Sequence, residues 1–171
     1  MISVVILNWE KPETLGKIVE YLNTVDVVDE IIISHGKSSL SYFPGEKTVN
    51  LDHSALNKKY GLYLRFIAAA TAKNDLIIIQ DDDTLVPGET IESLITEYNK
   101  RPNRIHGLYG RDLRDGKYHT DYNCYGEVPI VLTKCMIFPS YMNQYFLEAR
   151  SKIDPWVRKN SKPYWNGEDI F

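Results

Sequence analysis

A chain of 171 residues, 43% hydrophobic and 25% charged, has the composition of a globular protein and the length for one domain that buries roughly 70% of its unfolded surface. A formal net charge of −3 provides no overall field for holding nucleic acid. No apolar run approaches the ~20 residues of a membrane-crossing helix, and Ile2–Leu7 is too short and lacks the basic residues of a secretion signal. The chain therefore reads as cytoplasmic. Cys124 and Cys135 have neither CxxC nor Cys/His spacing, so they read as free thiols in a reducing compartment rather than zinc ligands.

In chain order, Ile2–Leu7 is a continuous apolar run and predicts a buried strand, with Asn8-Trp9-Glu10-Lys11 as a polar loop at its end. Pro12 fits the first turn of a helix whose apolar stripe is Leu15, Ile18, Val19 and Leu22. Ile31–Ile33 predicts a second buried strand, followed by the small polar loop Ser34–Ser39. Residues 40–54 are irregular, with a turn at Pro44-Gly45 and a short strand at Thr48–Leu51. A helix is predicted from about Ser54 to Ala72, with Leu56, Tyr60, Tyr63 and Ile67 on its apolar face. Asn57, Gly61 and Arg65 then lie four apart on another face, where the glycine would leave room for a ligand.

The stretch from Asp75 to Gly88 carries the strongest chemical signal. Leu76–Ile79 is a β-branched apolar run that delivers Asp81, Asp82 and Asp83 to one strand end, and Pro87-Gly88 then opens an amphipathic helix bearing Ile91, Leu94, Ile95 and Tyr98. Three adjacent carboxylates repel one another, and a divalent cation with hard oxygen ligands is the simplest compensation. From Ile105 the pattern changes. Ile105–Tyr109, Lys117–Thr120 and Pro129–Thr133 read as strands separated by the turns at 114–116 and 124–126, which makes this half more antiparallel. Pro139 is expected to start a short helix through Leu147, and the tail ends on an acidic pair, Glu168-Asp169. No repeat or linker divides the chain. The expectation is one domain, residues 1–171, with halves at about 1–104 and 105–171.

Taken together, Val4–Glu13, the acidic strand Ile77–Val86, and the later landmarks Tyr109-Gly110-Arg111, Val131–Pro139 and Trp165–Ile170 resemble nucleotide-sugar glycosyltransferases of the GT-A fold. The similarity is strongest to the C-terminal domain of exostosin-type enzymes, followed by the large family 2 transferases, and it spans nearly the whole chain. The resemblance implies an α/β fold with a mixed, Rossmann-like central sheet flanked by helices. It also implies a hexosyltransferase reaction, in which a sugar moves from a UDP- or GDP-linked donor to a hydroxyl of a glycan or glycoprotein, assisted by Mn²⁺ or Mg²⁺. By position, Asp83 is the direct metal ligand, Asp81 reaches the ribose or a metal-bound water, and Asp82 serves either purpose. Trp9 would stack on the base, Asn8 would hydrogen-bond it, and Lys11 stands where relatives carry an arginine near the phosphates. Asn57 and Arg65 match the donor-binding asparagine and arginine before the acidic strand. Asp169, then Glu168, is expected as the general base or the acid contacting acceptor or sugar. The acceptor is placed over the second half, near His119, Asp121, Tyr122 and Tyr125. Relatives continue into a helix after the acidic pair, so either the chain is short or a C-terminal part belongs beyond Phe171.

Other readings fit less well. Asp83-Thr84-Leu85-Val86-Pro87 matches the phosphoacceptor segment of receiver signalling domains, but those need two acids after the first strand and only Glu10 is there. A dehalogenase-type phosphatase motif, D-x-D-x-T, fails by one residue because Leu85 takes the threonine position. A nucleotidyltransferase would show a Gly-rich first loop. A non-catalytic carbohydrate-binding protein would suit twelve tyrosines and three tryptophans, but it does not account for the acidic triplet.

Overall fold

The computed structural model describes residues 1–37, 42–114, 117–118 and 123–160. Its centre is a six-stranded sheet. Strands β1 (Ile2–Asn8), β2 (Val28–His35), β3 (Thr48–Asp52) and β4 (Leu76–Asp81) are parallel. β5 (His106–Gly107) is the far edge strand, and β10 (Cys135–Pro139) lies antiparallel between β4 and β5. The order across the sheet is β3-β2-β1-β4-β10-β5. Two small antiparallel pairs stand apart: β6 (Gly110–Arg111) with β9 (Ile130–Val131), and β7 (Leu113–Arg114) with β8 (Lys117–Tyr118).

The apolar runs form strands because both faces of the sheet are covered. In β2, Ile31 and Ile33 point to one face and Ile32 to the other. The first face packs against helix α1 (Pro12–Asn23) through Leu15, Ile18, Val19 and Leu22, and against α4 (Gly88–Lys100) through Ile91 and Leu94. On the second face Val5, Ile32, Ile77, Ile79, Met136 and Phe138 meet Phe66, Ala68 and Ala69 of α3 (Leu64–Ala69). Phe146 of α5 (Asn143–Asn160) closes that layer, stacking 4.4 Å from Phe66. The result is a three-layer α/β/α domain with a mostly parallel sheet, as the sequence predicts. None of its described helices is long and apolar enough to cross a membrane.

Several elements differ from expectation. The helix predicted over 54–72 is broken into α2 (Ser54–Tyr60), a 3₁₀ turn at Gly61–Tyr63, and α3. Gly61 has φ 51° and ψ −128°, which no side-chain-bearing residue adopts without strain, and the break rotates Arg65 into the core. Leu56, assigned to the apolar face, is exposed. The strands at 105–109 and 129–133 shrink to two residues each, and Lys117–Tyr118 is all of the third that is described. Pro139 ends β10 rather than starting a helix; a 3₁₀ turn (Ser140–Met142) leads into α5, which runs well past Leu147.

Candidate active site

β1, β2 and β4 run in the same direction, so their C-terminal ends and following loops gather on one rim of the sheet, where open α/β sheets collect ligands. Leu7 is level with Asp81, and Asn8 is level with His35. Trp9 and Lys11 therefore face Asp82 and Asp83 across a gap of more than seventy residues in sequence. The Trp9 backbone N–H donates to Asp82 Oδ2 at 3.0 Å, and Lys11 Nζ pairs with Asp83 Oδ2. The ammonium holds the Asp83 carboxyl below its ordinary range, and Asp83 in turn raises the lysine. Asp82 shifts the other way. Its half-burial raises the carboxyl, and the negative charges of Asp83 and Asp81 add to the rise.

Arg65, buried on α3, reaches the same rim from below. Its Nη1 donates to Asp81 Oδ1 at 3.2 Å and to Thr133 Oγ1 at 2.7 Å, while its Nε has no hydrogen-bond partner among the described residues. Thr133 and Lys134 lie just ahead of β10, and the Lys134 carbonyl accepts from the Asp81 N–H at 3.1 Å. Lys134 also contributes to lowering the Asp83 carboxyl. Sequence reasoning did not single out either residue. The signal was weak, because the antiparallel strand that presents them follows a run read as a different strand.

The structure thus brings together Trp9, Lys11, Arg65, Asp81, Asp82 and Asp83. Asn8 is placed otherwise. It is fully buried, and its amide donates to His35 Nδ1 at 3.0 Å. The direction of that bond follows from Asn50, whose amide is oriented by the backbone of Phe43 through bonds to both N–H and C=O. Asn50 Oδ1 then accepts from His35 Nε2 at 2.9 Å, leaving Nδ1 as the acceptor. His35 therefore ties β2 and β3 to the end of β1, and Asn8 Oδ1 is buried with no hydrogen-bond partner among the described residues. Asn57 sits on α2, on the far side of the Gly61 break from Arg65, and its Oδ1 is also buried with no hydrogen-bond partner among the described residues. Trp9 is half-buried against Gly36, where a Cβ would come within 3.0 Å of the indole, and Lys37 Nζ lies 5.0 Å from the ring centroid. Asp169 and Glu168 lie outside the described residues, as do His119, Asp121 and Tyr122. Tyr125 is 89% exposed and rims an open cavity of about 740 Å³ that no residue of the carboxylate rim lines.

The donor set fits a hard divalent cation. Asp81 and Asp83 keep 32% and 40% of their side chains exposed, and they offer oxygen only. Among the described residues no three His, Cys, Asp or Glu side chains converge to hold an ion unaided. Such a set suits Mg²⁺-like binding, in which one or two carboxylates are completed by substrate phosphates and water rather than by a protein cage.

A sequence-family model, described as the glycosyl transferase family 64 domain, matches residues 2–171. The chain belongs to this family. A search of curated protein sequences finds no match. Among solved structures, the family 64 chain is similar to S. aureus TarS 1–349 (TM-score 0.57, 12% identity), with 88% of this chain covering 49% of that one. It also resembles the 2-C-methyl-D-erythritol 4-phosphate cytidylyltransferase of Francisella tularensis (TM-score 0.59, 12% identity, 95% and 83% covered). The 4-diphosphocytidyl-2C-methyl-D-erythritol synthase of Anaerococcus prevotii is similar too (0.52, 13%, 95% and 84%). At these identities the likeness is one of fold. The family 64 chain spans about half the length of the TarS fragment.

Proposed function

We propose that this family 64 domain transfers a sugar from a UDP- or GDP-linked donor to a hydroxyl of a glycan or glycoprotein, with Mn²⁺ or Mg²⁺. The observation that carries the reading is the row Asp81–Asp83 at the tip of β4, facing Lys11 and Arg65 across one rim. Breaking the bond between an anomeric carbon and a diphosphate puts negative charge on the leaving group; a bound cation would supply Lewis-acid stabilisation of that charge. Asp83 is the proposed ligand, because among the described residues its one ion pair is with an exposed lysine, and Asp81 is the second. Arg65 fixes Asp81 and Thr133 in place, and Lys11 is within reach of a phosphate at the same rim. Trp9 offers a ring for the base, and Asp82 orients the Trp9 backbone; Asn8 and Asn57, expected on the donor side by resemblance, stay candidates for the nucleotide only if their side chains turn from the positions seen here. Asp169, with Glu168 beside it, is the proposed base toward the acceptor hydroxyl.

The test is a thermal-shift screen of UDP, GDP and their sugar conjugates with and without Mn²⁺, followed by an assay for released nucleoside diphosphate. A Mn²⁺-dependent rise in Tm with one nucleotide is expected in the native protein and absent in Asp83→Ala, whose fold by circular dichroism should be unchanged. Undiminished transfer by Asp83→Ala would refute the assignment.

A further inference from the structure

The carboxylates at the end of β4 are contacted by two cations of unlike character. Arg65 keeps 6% of its side chain exposed and bonds Asp81 and Thr133 together, so packing holds it in place. Lys11 is 52% exposed, and its partner Asp83 is 40% exposed. Pairs of that kind contribute little stability and open readily to solvent. Thr84 Oγ1 also donates to Asp83, on Oδ1 at 3.3 Å, which leaves Oδ2 to the lysine. Counting groups in direct contact, three carboxylates meet two cations and one negative charge is in excess, with Lys134 acting on Asp83 only through space. Exchanging a monovalent ammonium for a divalent cation removes that excess and frees a positive side chain beside it.

We propose that Lys11 is the resident counter-ion of Asp83, giving up that carboxylate when the divalent cation binds and turning instead to the donor's diphosphate. The proposal rests on the metal-dependent reading above and adds an order of events to it. It gives Lys11 two effects of opposite sign. The lysine competes with the cation while the donor is absent, and it assists the nucleotide once the cation is in place. A lysine that only binds phosphate would show the second effect without the first. A lysine with a purely structural role would show neither, or would weaken both.

The experiment compares the native chain with Lys11→Met, Lys11→Arg and Lys73→Met. The last removes one positive charge at the opposite end of the sheet, where Lys73 pairs with Asp29 at 3.0 Å. Mn²⁺ is titrated without nucleotide, following the electron paramagnetic resonance signal of free Mn²⁺. UDP, and GDP in parallel, are then titrated calorimetrically at saturating Mn²⁺. Lys11→Met is expected to bind Mn²⁺ alone roughly two- to fivefold more tightly, the scale of an exposed ion pair, and to bind the nucleotide severalfold more weakly. Lys11→Arg should restore both values toward the native ones, and Lys73→Met should change neither. If the native chain binds Mn²⁺ with nucleotide but Lys11→Met leaves Mn²⁺ affinity unchanged or lower, the exchange is overturned and the metal reading stands. If no variant binds Mn²⁺ with or without nucleotide, both fall.

Discussion

Up to residue 81 the sheet is made of parallel strands of five to eight residues, of which β1, β2 and β4 are covered on both faces by helices while the edge strand β3 is only partly buried. Beyond residue 105 the chain pairs antiparallel, and all its described strands except β10 are two residues long. The first half gets its order from burial: Val4 to Ile6, Ile31 to Ile33 and Ile77 to Ile79 are all fully buried. In the second half such burial is concentrated in β10 and at Phe146 of α5, and the rest is joined to the first half by discrete contacts such as Thr133 against Arg65. Rigid strands thus set the carboxylate rim, and the other half attaches to it at discrete points.

The largest test of this contrast is stability. Ile32→Ala, in the doubly covered sheet, should lower unfolding free energy by about 2–5 kcal/mol, whereas Leu113→Ala, at a 47% exposed position of β7, should stay within about 0.5 kcal/mol. Equal losses in urea denaturation would erase the distinction. Next in size is the attachment itself. Arg65→Met removes a donor shared by Asp81 and Thr133 and should cost about 1–3 kcal/mol, with Arg65→Lys recovering little because one ammonium replaces a planar fork. A neutral Arg65→Met would mean that the halves hold together without this link. Gly61→Ala should cost about 1 kcal/mol, even though a Cβ there meets nothing within 4 Å, because the penalty comes from φ 51°. No loss in Tm would show that the backbone relaxes.

The smallest effect is in acid. Burial raises the Asp82 carboxyl above 3.8, so the native state holds that proton longer than the unfolded chain, and stability falls as pH rises through this window. Asp82→Asn keeps an acceptor for Trp9 and should be slightly stabilising at neutral pH, the gain vanishing below 3.8. Asp83 works oppositely. Its carboxyl is held low by Lys11, so its contribution is present above 3.8 and is lost as the pH falls below. A constant Asp82→Asn difference across pH, followed by urea titrations, would remove the burial explanation.

The same contrast explains what could be read from the residues. Long apolar runs announced β1, β2 and β4, and with them the position of Asp81–Asp83 and the loop carrying Trp9 and Lys11. A strand of two residues has no period to detect, so the second half was drawn with strands that are too long, and β10, short and ending in Pro139, was not recognised as a strand. Helical spacing continued smoothly through Gly61 and placed Arg65 on an open face; a positive φ leaves no trace in periodicity. Asn8 was expected at the base from its position in the family resemblance, and the Asn50–His35 relay that holds it inward depends on a pairing between β2 and β3 that no local pattern reveals.

The backbone between Tyr109 and Leu132 leaves the sheet and returns at nearly the point of departure. The Leu108 N–H bonds the Cys135 carbonyl at 3.1 Å, and the Leu132 N–H bonds the Tyr109 carbonyl at 2.9 Å. Departure and return are stitched to one another, and this clasp fixes the point from which Thr133 and Lys134 lead into β10.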